Sequence, residues 1–457
     1  MSSSKKPEVI FTCADCGAQF PKWAGRCTEC GHWGTVSQEA VTVTAADRPR
    51  ASGGKTQSFE GLGAQTSHQT KPTGLAVFDR LLSGGLVPGS VTLLGGEPGI
   101  GKSTLLAQLA LVLAGQNQSI LYVTGEESPT QVLLRLKRLT NRLPERLLFL
   151  DQTQADVVAA TIEEQKPALT IIDSVQTLRL AGVPGEAGNP SQVKASAAVV
   201  SEAAKRSHAP VILVGQVTKD GDLAGPRLLE HLVDTVMMME GDRDQVMRLL
   251  RVLKHRFGST EEVAVLSMTE NGLEEILDPS SALIAHRPTA TPGTTITCLA
   301  QGSRPMLVEI QALVTPAGYG TPMRRATGID TNRLNLLLAV LARRAGVNFG
   351  DQDVFVNAVG GIDAKEPATD LAICLALVSA KLNLPLSNKT AAWGEVGLSG
   401  ELRPAGRTSL RIKECVRLGF SNLILPKDGT DLKETNLVQL QRQTVLSDAL
   451  RAAGLGK

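Results

Sequence analysis

Two groups of residues in this chain have the types and spacing to do chemistry. The first is Cys13-Ala-Asp-Cys16 followed by Cys27-Thr-Glu-Cys30, two CxxC pairs with ten residues between them. A two-residue spacing lets both sulfurs of one turn reach a single ion, and Gly17 and Gly31 permit the tight turn after each pair. Four thiolates close a tetrahedral shell with no position left for a substrate, so the expected zinc site is structural. So short a segment has too small a core to hold itself together, and the metal is expected to supply its folding energy. The other thiols, Cys298, Cys374 and Cys415, stand in apolar runs and read as core residues.

The second group is Gly96-Glu97-Pro98-Gly99-Ile100-Gly101-Lys102-Ser103, followed by Thr104, which fits GxxxxGK[ST]. Glycines let backbone N–H groups wrap phosphates, and the lysine reaches the β and γ phosphates of ATP. The serine hydroxyl suits Mg2+, and the N-terminus of the following helix favours an anion. Downstream, ALTIIDS ends an apolar run in Asp173, a second candidate for holding Mg2+. Hydrolysis also needs a base for the attacking water. The run SILYVTG leads into Glu126-Glu127, with Glu126 the favoured base and Glu127 the alternative.

These residues need a scaffold, and the patterning supplies one. Residues 1–40 form the cysteine module, and residues 41–70 are polar and small and read as a linker. From Lys71 apolar strands alternate with amphipathic helices: SVTLLGG then GKSTLLAQLALVLAG, SILYVTG then SPTQVLLRLKRL, and the short strands RLLFLDQ, ALTIIDS and PVILVGQ. Such alternation predicts a parallel sheet flanked by helices over 71–277, with an antiparallel hairpin at its edge turning near residues 241–244. On this reading Glu126 and Asp173 stand at the C-terminal edge of the sheet, where ligands bind in such folds. Residues 281–457 return to mixed strands and helices and predict a second α/β domain.

Composition narrows the classes. Basic and acidic residues number 47 and 45, so any nucleic-acid surface is local, and aromatics at 3% favour charge over base stacking. MSSSKKPEVI leads straight into the cysteines, and no run reaches the roughly 18 to 20 apolar residues that span a bilayer. A cytoplasmic protein with no membrane partner is expected.

The stretch GLAVFDRLLSGGLVPGSVTLLGGEPGIGKSTLLAQLA resembles the core of RecA-like ATPases. With the four cysteines, VTKDGDLAGPRLLEHLVDTV and KHRFG, the whole chain resembles the RadA (Sms) family of bacterial recombination proteins. The family's KNRFG signature reads here Lys254-His255-Arg256-Phe257-Gly258, with His in place of Asn. The resemblance implies that Lys254 and Arg256 act in trans on a neighbour's nucleotide or carry motion to DNA. It also implies that Gln216, where relatives commonly show His, senses the γ-phosphate. The loop after that strand, residues 218–227, would face DNA through Lys219 and Arg227, with KHRFG as a further DNA contact.

Residues 281–457 resemble the proteolytic domain of Lon, but Pro367-Ala368-Thr369-Asp370 replaces its nucleophile turn. Gly406-Arg407-Thr408-Ser409 stands where its lysine should follow. The implied fold class is α/β: a RecA-like P-loop core, an N-terminal zinc ribbon and a C-terminal Lon-protease-like domain without the protease dyad. Arg324, Arg325, Arg343, Arg344, Arg403 and Arg407 are candidates for DNA contacts there. The resemblance further implies a homo-hexameric, DNA-dependent ATPase and helicase that uses ATP, Mg2+ and Zn2+. Such a motor would act on single-stranded DNA and branched recombination intermediates alongside RecA. An ATP-dependent Lon-like protease and a KaiC-like signalling ATPase are the alternatives.

Overall fold

The computed structural model describes residues 9–13, 18–20, 22–29, 31–40, 70–216, 226–241, 247–285, 287, 291–318, 321–427 and 438–456. They fall into two compact units, Met1–Ser67 and His68–Lys457. Apart from Thr70, the expected linker lies outside the described residues.

In the first unit a three-stranded antiparallel sheet places Val9–Cys13 between Gln19–Phe20 and Val36–Ala40. Its buried cluster is small: Cys13, Cys27 and Val36, with Phe11, Ala18 and Phe20 packed against them.

The second unit is built on two sheets. The larger has nine strands. From one edge they run Gly272–Glu275, Val263–Thr269, Met247–His255, Thr235–Glu240, Val91–Gly96, Val211–Gln216, Leu169–Asp173, Ile120–Thr124 and Leu147–Leu150. The last six in that order are mutually parallel, and the first three are added by antiparallel pairing. The central strands are apolar on both faces because helices cover both. Leu94, Ile120 and Tyr122 pack under the helices Lys102–Gly115 and Pro129–Leu139. Leu93, Leu121 and Val123 face Ala155–Gln165 and Pro190–Ser207. Ser128 opens Pro129–Leu139 with a capping box to Gln131, which fixes where the chain leaves Glu126 and Glu127.

The hairpin expected at the edge is present, Thr235–Glu240 against Met247–His255, but it is not the edge. Two further strands, Val263–Thr269 and Gly272–Glu275, extend the sheet through a turn over Glu270-Asn271, after which Gly272 stands at φ +111°. That Asn-Gly pair is the hairpin signal that the sequence reading passed over. The edge strand is fastened to the P-loop helix: Gln108 donates to the Leu273 carbonyl at 3.1 Å and accepts from its N–H at 2.9 Å.

The smaller sheet has the order Arg324–Thr327, Gln352–Ala358, Arg304–Pro316, Thr294–Gln301, Thr390–Ala392, Asn422–Pro426, Gln439–Gln443. The helix Asp370–Leu382 is buried from Asp370 through Ser379 and forms the middle of that region. Cys298, Cys374 and Cys415 are all core residues, as their sequence context indicated. The two sheets share one apolar cluster, in which Leu249, Val263 and Val265 of the larger meet Leu299, Met306 and Val308 of the smaller. Ion pairs surround the seam: Glu275 with Arg80 at 2.5 Å and Arg304 at 3.4 Å, and Asp278 with Arg417 at 2.6 Å. The Arg417 guanidinium holds the Asp278 carboxyl well below the usual carboxylate range. No helix among the described residues is long and apolar enough to cross a membrane.

Gly302 marks how closely the two sheets approach. It sits at φ +57°, and a Cβ there would lie 1.9 Å from the Glu261 carbonyl oxygen. The Gly302→Ala variant is expected to lose about 1–3 kcal/mol of stability, read as a lower Tm in thermal unfolding. An unchanged Tm would mean that the seam yields without cost.

Candidate functional site

The P-loop joins the fully buried strand Val91–Gly96 to the helix Lys102–Gly115. Gly101 caps that helix at φ +119°, a conformation that L side chains rarely adopt, and its absent Cβ would crowd Met268 and Leu273. Lys102 is 6% exposed and donates to the carbonyls of Gly96 at 2.8 Å and Glu97 at 2.9 Å. Beside it opens a cleft of about 290 Å³. Pro98, Gly99, Gly101, Lys102, Ser103 and Thr104 form one wall, and Glu126, Glu127, Asp173 and Gln216 come from the ends of three neighbouring strands. Ile100 is buried beneath the loop. Parallel strands bring all these ends to one edge, so the phosphate loop and the carboxylates expected from sequence do meet.

The two glutamates occupy different settings. Glu126 accepts from the Gln216 amide at 2.8 Å and from the Ser174 hydroxyl. Glu127 is ion-paired with Arg135 of the following helix. Asp173 is buried at its strand end and accepts from the Tyr122 hydroxyl at 3.1 Å. Burial first, and then the Asp173 charge, push the Tyr122 phenol well above its ordinary range, so Tyr122 remains a donor. Buried Asp173 and nearby Ser103 form an oxygen donor set suited to Mg2+ at the mouth of the P-loop helix. Tyr122, Ser174 and Arg135 were not singled out from sequence. Each acts through its place in the sheet or on the next helix, which no local motif announces.

KHRFG lies elsewhere. His255 pairs with Thr235, and Thr235 with Thr92, whereas the P-loop begins at Gly96. Four residues of strand, roughly 13 Å, therefore separate the motif from its own phosphate loop. Lys254 donates to the carbonyls of Glu230 and of Val233, the latter at 2.8 Å. Arg256 lies just past the strand end, beyond a bulge between Val252 and Lys254. It pairs with Asp234 at 3.1 Å, and Asp234 also accepts from the Val91 N–H at 3.0 Å. Both cations thus engage the segment 230–234. His255 Nδ1 stands 2.9 Å from the Thr235 hydroxyl, Phe257 packs edge-on to the His255 ring, and Gly258 lies against Ser83. Lys219 lies outside the described residues. Arg227 falls in the short helix Pro226–Leu229, and its side chain is not described.

In the first unit the two cysteine turns are built alike. The Cys13 N–H donates to the Ala18 carbonyl and the Cys27 N–H to the His32 carbonyl, each at 2.9 Å. Both thiols are buried in a cluster with little else to stabilise it. Two matching turns, each offering a buried sulfur, suit a tetrahedral zinc site. Cys16 and Cys30 lie outside the described residues.

The comparisons match this division. Residues 11–38 fit a rubredoxin metal-binding domain, 72–222 an AAA domain and 333–429 the ChlI subunit of Mg-chelatase. The DNA repair protein RadA of Pseudomonas aeruginosa is 43% identical over 98% of this chain and 99% of its own length. The chain belongs to the RadA family. The RadA proteins of Bacillus subtilis and Escherichia coli are 42% and 41% identical, covering 93% and 98% of the chain and 94% and 98% of their own. This chain therefore spans the full RadA arrangement of zinc ribbon, P-loop ATPase domain and C-terminal α/β region.

Replacing Cys27 with Ser should lower bound zinc from about one per chain and unfold the first unit, because the metal would be its main support. The P-loop unit should keep its melting transition. Metal analysis showing undiminished zinc in Cys27→Ser would refute the assignment.

Proposed function

We propose that this protein is a DNA-dependent ATPase and ring translocase of recombination and DNA repair. The carrying observation is the split between the two ends of one sheet. A P-loop cleft with its carboxylates stands at one end, and the KHRFG cations stand roughly 13 Å away at the other. Cations that cannot serve their own nucleotide are suited to serve a neighbour's, which favours a ring of identical subunits. A homo-hexamer moving on single-stranded DNA, extending branched intermediates alongside RecA, accords with the repair role named for the relatives. Lys219, Arg227 and the exposed part of KHRFG are the proposed DNA contacts, with salt-sensitive binding as the consequence. The ATPase domain is assigned to 71–277 and the Lon-protease-like domain to 281–457.

At the cleft, backbone N–H groups of the P-loop hold the phosphates, and Lys102 exchanges two carbonyls for the β and γ oxygens. Mg2+, held by Ser103 and Asp173, would neutralise charge between those phosphates. Glu126 is the base that takes a proton from the attacking water. The water oxygen bonds to the γ-phosphorus, the bond to the β-phosphate oxygen breaks, and ADP departs. Gln216, already bonded to Glu126, is placed to register the γ-phosphate and its loss. Glu127 is committed to Arg135 and leaves the base role to its neighbour.

The C-terminal region is read as a scaffold without protease activity. In support, the buried Thr369 hydroxyl donates to the Ala364 carbonyl at 3.0 Å or the Glu366 carbonyl at 2.7 Å. Lys365, nearest in sequence, pairs with Asp363. A hydroxyl so occupied, with no lysine contact among the described residues, is not a nucleophile.

Lys102→Ala should abolish ATP hydrolysis with an unchanged melting curve. Glu126→Gln should lower kcat by about a hundredfold or more, and Glu127→Gln by much less. The reverse order would move the base to Glu127. Arg256→Ala should bind ATP yet fail to move DNA. Mixing it with Lys102→Ala chains should restore partial activity, because some interfaces then pair an intact P-loop with an intact Arg256. A mixture that stays dead in verified rings sinks the trans role, and so does normal translocation by Arg256→Ala alone.

A further inference from the structure

One guanidinium in the nucleotide cleft has no sequence motif behind it. Arg135 lies on the helix Pro129–Leu139, its side chain is 16% exposed, and it lines the cleft with Lys102, Asp173 and Glu126. Its Nη2 donates to the Glu127 carboxylate. Its Nη1 is buried and has no hydrogen-bond partner among the described residues. An unpartnered buried donor is costly, and a charged one more so, which marks a place where an acceptor belongs.

No described residue accepts from Arg135 Nη1, and one oxygen of each neighbouring carboxylate already has a donor. Glu126 Oε1 receives Ser174 and Gln216, and Asp173 Oδ2 receives Tyr122. A guanidinium offers donors only, and the acceptor that best answers its charge is an anion. The P-loop serves the inner phosphates from the opposite wall. Arg135 stands instead on the side of Glu126 and Asp173, where the reacting phosphate must lie if Glu126 activates water. We infer that Arg135 donates through Nη1 to the terminal phosphate of ATP while Nη2 holds Glu127 aside. On this reading Arg135 distinguishes ATP from ADP. The inference rests on the proposed ATPase reading of the cleft.

The test compares the full-length wild type with Arg135→Gln and Arg135→Lys. Calorimetry in Mg2+ would measure the Kd of ADP and of an ATP analogue with an imido bridge between the β and γ phosphates. Arg135→Gln should weaken the analogue about ten- to hundredfold and leave ADP within about twofold, because one charge-assisted hydrogen bond is lost from the terminal phosphate alone. Arg135→Lys, which keeps the charge but not the fork, should fall between. Equal weakening of both nucleotides would reveal a merely structural role, and no change in either would remove Arg135 from the site; each overturns the proposal. If Arg135→Gln melts below the assay temperature, the same ADP-against-analogue comparison on Arg135→Lys decides. A wild type that binds neither nucleotide would instead overturn the ATPase reading itself, which separates the two failures.

Discussion

A buried ammonium sets the terms for the rest of the molecule. Lys102 is almost wholly removed from water at the N-terminus of a helix whose own backbone dipole is positive there. Two sources of positive potential at one buried point need negative partners. The chain provides the carbonyls of Gly96 and Glu97, which lie within the loop itself. That arrangement is tolerable but easily exchanged for phosphate oxygens, whose full charge rewards both the ammonium and the free N–H groups. Left-handed glycines, an all-apolar strand and helices on both faces of the sheet are what this placement requires.

The same sheet sorts like residues into unlike roles. Glu126 and Glu127 are adjacent and chemically identical. Serine and glutamine hold one beside the cleft, and arginine binds the other from the next helix. Partners, not sequence position, distinguish the two carboxylates. Sheet polarity does the corresponding work for the cations. Lys102 follows the strand Val91–Gly96, and Lys254 lies two strands away on an antiparallel strand that carries it to the end remote from phosphate.

The metal turn, the P-loop and Asp173 were legible in the sequence because each is a local pattern with a backbone reason: cysteine spacing, glycines before a lysine, an acid ending an apolar run. The parallel sheet followed from alternating strands and helices. Less was legible where partners are distant in sequence. Tyr122 and Asp173 are 51 residues apart, and Glu126 and Gln216 are 90 apart, so their hydrogen bonds exist only after the sheet orders its strands. The strands Val263–Thr269 and Gly272–Glu275 were missed although VAVLSMT is as apolar as the runs read as strands and Asn271-Gly272 marks the turn.

Those late strands also decide how the unit moves. Gln108, on the P-loop helix, is bonded both ways to Leu273, and Glu275 two residues on pairs with Arg304 of the smaller sheet. Val263 and Val265 meanwhile share an apolar cluster with Leu299 and Met306. To swing the P-loop helix against the smaller sheet, the protein would have to break two side-chain-to-backbone hydrogen bonds, an ion pair and a packed core together. Packed cores resist such gradual deformation. The nucleotide cleft and the C-terminal sheet are therefore parts of one body.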